Sequence, residues 1–285
     1  YAAIVSGGVD SSLLAHYLVT HGQPNTLVAV NHIGKDLISS DLSGFEKTLN
    51  RRIDVLNIDK AAYAAAIGRC QDTCRGPLNA HSFVPQTLLS AFVHSNGCKA
   101  MFGGEGADEF FGGYDAYLSN TNSPSNYSPS PYLTHETPEV EFFEDDPTCI
   151  KQELSDAWQI SQHVYEFVEK QPERRSLAMM YGDARFQLPT VGLRSADLMS
   201  MMHSVETRTI LLRKNLLKFA LNLPLSARID PTAKNPNMRT KILLKQLFLR
   251  YYPESLLTKK QGFAGFPNES AGYLGDLGDY ITFDV

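Results

Sequence analysis

Little in this sequence points to a polyanion, a membrane or an oxidising compartment. Lys and Arg total 26 against 31 Asp and Glu, a formal net charge of -5, so the chain has no basic field to hold nucleic acid. No run reaches the roughly 20 apolar residues of a membrane span, and no basic-then-apolar signal segment opens the chain. Four cysteines, Cys70, Cys74, Cys98 and Cys149, are too few and too scattered over 285 residues for a disulfide framework. A reducing, cytoplasmic setting fits. Cys70 and Cys74 are four apart, a spacing that allows one helix face, but without a second thiol pair or a nearby histidine they fall short of a zinc site.

What is present is enough apolar sequence for a packed core: 43% of residues are hydrophobic and 20% charged. Tyr1 to Val5, Thr26 to Asn31, Asp54 to Ile58 and Lys99 to Gly103 are short β-rich runs. Between them, Ser11 to His21 with Gly22 as its C-cap, Lys60 to Gly68, and Pro85 to Asn96 closed by Gly97 carry helical spacing. Such alternation predicts a parallel sheet covered on both faces, with ligands at the carboxyl ends of its strands. The fold class expected is α/β, a parallel-sheet core followed by a mostly helical part. The α/β core is expected over residues 1–118, a Ser/Asn/Pro-rich loop or lid over 119–149, and the helical portion over 150–285. In the last part Leu154, Trp158, Tyr165 and Val168 make a stripe, and helices are expected over 194–206, 214–223 and 239–251.

Chemistry concentrates in two glycine-rich runs. Ser6-Gly7-Gly8-Val9-Asp10-Ser11-Ser12 stands where a strand turns into a helix, so backbone N–H groups and the helix N-terminus make an anion site. Its glycines allow positive φ and close approach, and its hydroxyls add donors. Asp10 would repel a phosphate unless a cation lay between them, which implies Mg²⁺. The run lacks the lysine of a Walker A loop, which disfavours γ-phosphate transfer of that kind. The second run, Gly103-Gly104-Glu105-Gly106-Ala107-Asp108-Glu109-Phe110-Phe111-Gly112-Gly113-Tyr114, sets three carboxylates among five glycines at a strand end, a pattern for metal or acid–base work.

The first run resembles the pyrophosphate loop of the PP-loop ATP pyrophosphatases, and the second is similar to the Ser-Gly-Glu-Gly-Ala-Asp-Glu-Leu-Phe-Gly-Gly-Tyr signature of the asparagine synthetase family. Asp197-Leu198-Met199-Ser200-Met201 with Val205 to Arg208, and Lys241 to Lys245 with Lys259-Lys260-Gln261-Gly262-Phe263, extend the likeness to the C-terminal part. The resemblance implies a PP-loop, adenine nucleotide α-hydrolase-like core. It implies that Ser6, Gly7, Gly8, Ser11 and Ser12 hold pyrophosphate, that Asp10 and Asp108 hold Mg²⁺, and that Ile4, Val30 and Gly104 receive adenine and ribose. Glu105 matches a glutamate beside the acyl-adenylate. Lys260, three residues before Phe263, matches the lysine of the family's final motif.

The reaction so implied is AMP-forming amide ligation: ATP adenylates a small-molecule carboxylate, and ammonia or an amine displaces AMP. With no glutaminase within the chain, the nitrogen is expected from free ammonia, a separate glutaminase subunit, or the substrate itself, as in β-lactam or macrolactam closure. A non-catalytic nucleotide-binding scaffold is the alternative from another class. The chain also departs from the family pattern: Leu198 stands where a basic residue is usual, Arg213 where Asp is usual, and Gly103 where Ser is usual.

Overall fold

The computed structural model describes residues 1–32, 42–75, 78, 82–118, 175–185 and 187–257. The Leu154-to-Val168 stripe, the loop expected over 119–149 and Lys260 lie outside the described residues. Five strands form one sheet in the order β3-β2-β1-β4-β5: β1 Ala2–Ile4, β2 Thr26–His32, β3 Ile53–Ile58, β4 Ala100–Gly103 and β5 Glu206–Thr209. Every pairing is parallel, with Ala2 opposite Thr26 and Met101, Leu27 opposite Ile53, and Ala100 opposite Glu206. The first four strands stand where the apolar runs predict them.

Burial follows strand position. Ala2, Ala3, Leu27, Val28, Ala29 and Met101 are all sealed from solvent, because the inner strands of a parallel sheet are covered on both faces. At the edges, β3 leaves Val55 exposed and β5 presents Glu206 and Arg208, whose side chains pair at 2.8 Å. Charges on an edge strand discourage pairing with another chain.

The helices are α1 Val9–His21, α2 Leu42–Leu49, α3 Lys60–Cys74, α4 Phe83–Ser95 and the short α5 Ala107–Phe111, followed later by Arg175–Arg185, Arg194–Met201, Lys214–Leu221 and Ile242–Phe248. Gly22 caps α1, its N–H donating to the Leu18 carbonyl at 2.8 Å. Asp59 caps the start of α3 by accepting from the Ala62 amide at 2.7 Å. That helix runs past Gly68 to Cys74 and ends on Arg75 in the left-handed region; a glycine inside a helix is costly but tolerated when neighbouring turns are packed.

One expectation is corrected. The helix expected over 194–206 stops at Met201; Ser204 takes φ 54 and the Glu206 amide donates to the Lys99 carbonyl at 2.9 Å, opening β5. Thr207 and Thr209 alternate with charged residues, a period-2 pattern that the preceding helical stripe masks.

The chain divides into two compact units. The first comprises Tyr1–Glu105, Thr190–Leu217 and Leu243–Val285, and the second Gly106–Pro189 and Lys218–Ile242. In the first, Ala2, Val28, Leu89, Val93, Cys98, Met101 and Val205 form one core cluster, while Ile58, Tyr63, Ala66, Cys70, Phe83, Val84 and Met199 form another. Each large side chain so buried contributes on the order of 2 kcal/mol. In the second, Ala116, Tyr117, Met179, Met180 and Ile229 pack together. The buried Tyr117 hydroxyl donates to Asp183 Oδ2 at 2.6 Å, and its backbone carbonyl accepts from Ser176 Oγ at 2.6 Å.

Candidate active site

The sheet order reverses at β1, which has β2 on one side and β4 on the other. Such a switch point opens a crevice at the carboxyl ends of the strands, and both glycine-rich runs begin there. After β1 the Val5 amide still donates to Val28 O at 2.8 Å, and the chain then turns through Ser6, Gly7 and Gly8 into α1. Gly7 sits at φ 78, a conformation that costs any L side chain.

Hydroxyls hold the turn in shape. Ser11 Oγ accepts from the Ser6 amide at 3.0 Å, lies 2.8 Å from Ser6 Oγ and donates to Gly8 O at 3.3 Å, while Ser6 Oγ accepts from the Gly8 amide at 3.3 Å. Ser12 is sealed from solvent, and its Oγ has no hydrogen-bond partner among the described residues. Its carbonyl accepts from the Tyr252 hydroxyl at 2.9 Å. Asp10 lies in the first turn of α1, where the helix dipole favours a carboxylate.

The end of β4 comes close to this turn. A Cβ on Gly104 would stand 3.1 Å from Asp10 Cβ, so the absence of a side chain there lets the strand end approach the start of α1. Gly103 has a different reason to be glycine. A Cβ on it would overlap the Glu105 carboxylate, which folds back over the strand. Burial raises the Glu105 pKa, opposed by a hydrogen bond to its own backbone, and its buried Oε2 has no hydrogen-bond partner among the described residues. An unpaired buried carboxyl group holds its proton more tightly.

Within the second unit, Asp108 lies on α5, a short helix bounded by Gly106 at φ 88 and Gly112 at φ 75. The Gly112 and Gly113 amides donate to the Asp108 carbonyl at 3.0 and 2.8 Å. Lys241 Nζ pairs with Asp108 Oδ1 at 2.7 Å, and its own amide donates to Gly112 O at 3.1 Å. The ammonium is almost wholly buried while the carboxylate keeps some exposure, at 7% and 22%. Nearby, Glu109 is buried and accepts from the Tyr114 hydroxyl at 2.7 Å.

A family model described as asparagine synthase matches residues 1–282. The chain belongs to the asparagine synthase family. It is also 31% identical over 144 residues to "Amidase chry2" of Gibberella zeae, a match covering 45% of this chain and 21% of that protein; the chain thus spans well under two thirds of that relative. No helix among the described residues is long and apolar enough to cross a membrane.

The structure gathers Ile4, Ser6, Gly7, Gly8, Asp10, Ser11, Ser12, Val30, Gly104 and Glu105 in one unit, on or just beyond β1, β2 and β4. Asp108 belongs to the second unit, and Lys260 lies outside the described residues. Among the described residues no three His, Cys, Asp or Glu side chains cluster as a metal centre would. Mg²⁺ asks for less than such a cluster, since it takes one or two carboxylates and completes its shell with substrate phosphates and water. Two residues at this site escape reading from the sequence, Lys241 as the partner of Asp108 and Arg228 beneath α5. Lys241 had a signal in its place within a family-like run; Arg228 had none.

Proposed function

We propose that this chain adenylates a substrate carboxylate with ATP, releases pyrophosphate, and passes the acyl group to ammonia or an amine. One observation carries this reading: the hydroxyl-laced turn after β1 and the Glu105 turn after β4 leave the sheet at the same switch point. A phosphate cradle beside a buried acid suits activation of an acyl group by a nucleotide, and the lack of a Walker A lysine in the cradle disfavours γ-phosphate transfer of that kind.

In this mechanism the Ser6 to Ser12 turn receives the β- and γ-phosphates, with the orphaned Ser12 hydroxyl and the N-terminus of α1 as donors. Backbone groups of Ile4, Val30 and Gly104 receive adenine and ribose. Asp10 and Asp108 would hold Mg²⁺, which when bound offsets the charge gathering on the leaving pyrophosphate. Lys260 adds a cation towards the same leaving group. The carboxylate oxygen bonds to the α-phosphorus as the bond to the β-phosphate bridge breaks. The amine nitrogen then attacks the activated carbonyl, AMP leaves, and Glu105 takes the amine proton. Burial raises its pKa above the ordinary glutamate value, which makes the carboxylate a stronger base.

The nitrogen comes from free ammonia or from a separate glutaminase subunit, and the reaction belongs to the cytoplasm. The test is incubation with Mg-ATP and candidate carboxylates, with and without ammonium, following AMP and pyrophosphate. Pyrophosphate and AMP in equal amounts, with the acyl product dependent on ammonium, are expected. ADP and orthophosphate as products would overturn the reading.

A further inference from the structure

Arg228 is 5% exposed, and among the described residues no carboxylate pairs with it. Carbonyl oxygens take that place. Its Nη1 donates to Phe110 O at 3.0 Å, and its Nη2 reaches Ala220 O at 2.6 Å, Leu223 O at 3.1 Å and Leu221 O at 3.4 Å. Phe110 lies in the last turn of α5, the Ala220 and Leu221 carbonyls end the helix Lys214–Leu221, and Leu223 lies two residues beyond it. Helix ends leave their last carbonyls without intrahelical donors and carry partial negative charge. One guanidinium therefore caps two helices at once. Burial without a counter-charge is costly and pulls the Arg228 pKa down, so the arrangement calls for a return beyond filling space.

The backbone around Arg228 completes a circuit. Its carbonyl accepts from the Ile242 amide at 3.0 Å, and the preceding Lys241 holds Gly112 O through its amide and Asp108 through its ammonium. Gly112 allows the close approach, since a Cβ there would stand 3.2 Å from Arg228 Cβ. Both members of the Asp108–Lys241 pair are thus tied to one residue. We propose that Arg228 is a positioning residue, whose guanidinium fixes the α5 turn and whose carbonyl fixes the Lys241 segment, so that Asp108 is held where it serves the metal. A planar fork can serve two elements in one plane, which a single ammonium cannot.

This inference rests on the reading of Asp108 given above, so the test has two arms, both with the full chain and Arg228→Lys. The first follows hydrogen exchange at the Gly112 and Gly113 amides, with Ala3 and Val28 as references. The second follows the Mg²⁺ concentration giving half-maximal pyrophosphate release, beside the ATP KM at saturating Mg²⁺. Faster exchange confined to the two glycines is expected, with a Mg²⁺ requirement raised about 10- to 100-fold and the ATP KM little changed, as for residues that orient a metal ligand. Native protection at both glycines, or faster exchange spread equally to Ala3 and Val28, overturns the proposal. So does an unchanged Mg²⁺ requirement. If the wild type releases no pyrophosphate with any carboxylate, the proposed function fails, while the exchange arm still decides the clamp. Should Arg228→Lys not fold, Arg228→Gln, which keeps one donor arm, is measured in the same way.

Discussion

Lys241 Nζ lies 2.7 Å from Asp108 Oδ1, and Gly113 passes so close that any Cβ on it would overlap both side chains. The ammonium is buried, so its pairing with Asp108 offsets a desolvation cost that neither charge could bear alone. Lys241→Met should leave Asp108 without that partner and destabilise the protein by about 3 kcal/mol, the range for breaking a buried pair from one side. Urea denaturation of wild type and variant measures this. A change below about 0.5 kcal/mol, the level of ordinary surface substitutions, would show the pair to be incidental.

Gly113→Ala acts on the same pair without removing a charge. The added methyl must push Asp108 and Lys241 apart, so loss of pyrophosphate release should exceed the loss of stability. Comparing turnover at saturating ATP with the denaturation midpoint separates the two effects.

Gly103→Ala tests the space that the Glu105 carboxylate occupies. Gly103 is not in the left-handed region, so the obstacle to a side chain is the folded-back carboxylate and not the backbone. Displaced towards water, Glu105 should lose part of the burial that raises its pKa. Its basic form then appears at lower pH, and the acid limb of the pH–rate profile should move to lower pH. An acid limb unmoved by the substitution would count against Glu105 as the group reported.

Glu105→Gln should reduce amide formation by about 10²- to 10⁴-fold, the span of a lost general base. Its effect on stability has a definite sign. A carboxyl whose folded pKa is raised favours folding below its unfolded value, and that contribution disappears as pH rises through the folded pKa. Relative to wild type, the glutamine variant should therefore gain stability above the ordinary glutamate range and lose that gain in acid. Thermal denaturation from acid to mildly alkaline pH checks this.

Gly7→Ala and Asp10→Asn separate the shape of the phosphate turn from its charge. Alanine at φ 78 carries a left-handed penalty of about 1–2 kcal/mol, and the turn that receives phosphate should open, weakening ATP binding. Asp10→Asn keeps the shape; turnover should vanish while the fold and its melting temperature hold. An unaltered rate in that variant would remove the metal assignment.

The sheet was legible where local pattern and tertiary role agree. Ala2, Val28 and Met101 sit in strands that are apolar throughout because both faces are covered, and Gly8 and Gly22 mark the ends of α1. The strand Glu206–Thr209 was not legible, since an edge strand needs no apolar run and here starts five residues after a helix ends at Met201. At the site, the places of Gly7, Asp10, Glu105 and Asp108 beyond the ends of β1 and β4 could be read, because the turns that carry them are local in the chain. The reason for Gly103, the partner of Asp108 and the clamp of Arg228 depend on contacts made in space, which spacing along the chain does not record.

The late arrival of β5 bears on synthesis. Strands β1 to β4 are complete by residue 103, yet β4 gains its second neighbour only at Glu206–Thr209, after most of the second unit has been translated. Until then the nascent sheet offers the ribosome exit an unpaired edge over Ala100 to Gly103, the kind of surface that holdase chaperones cover and that seeds aggregation when they do not. A product truncated between residues 103 and 206 should carry that edge permanently, making termination there more damaging than loss of the missing residues alone.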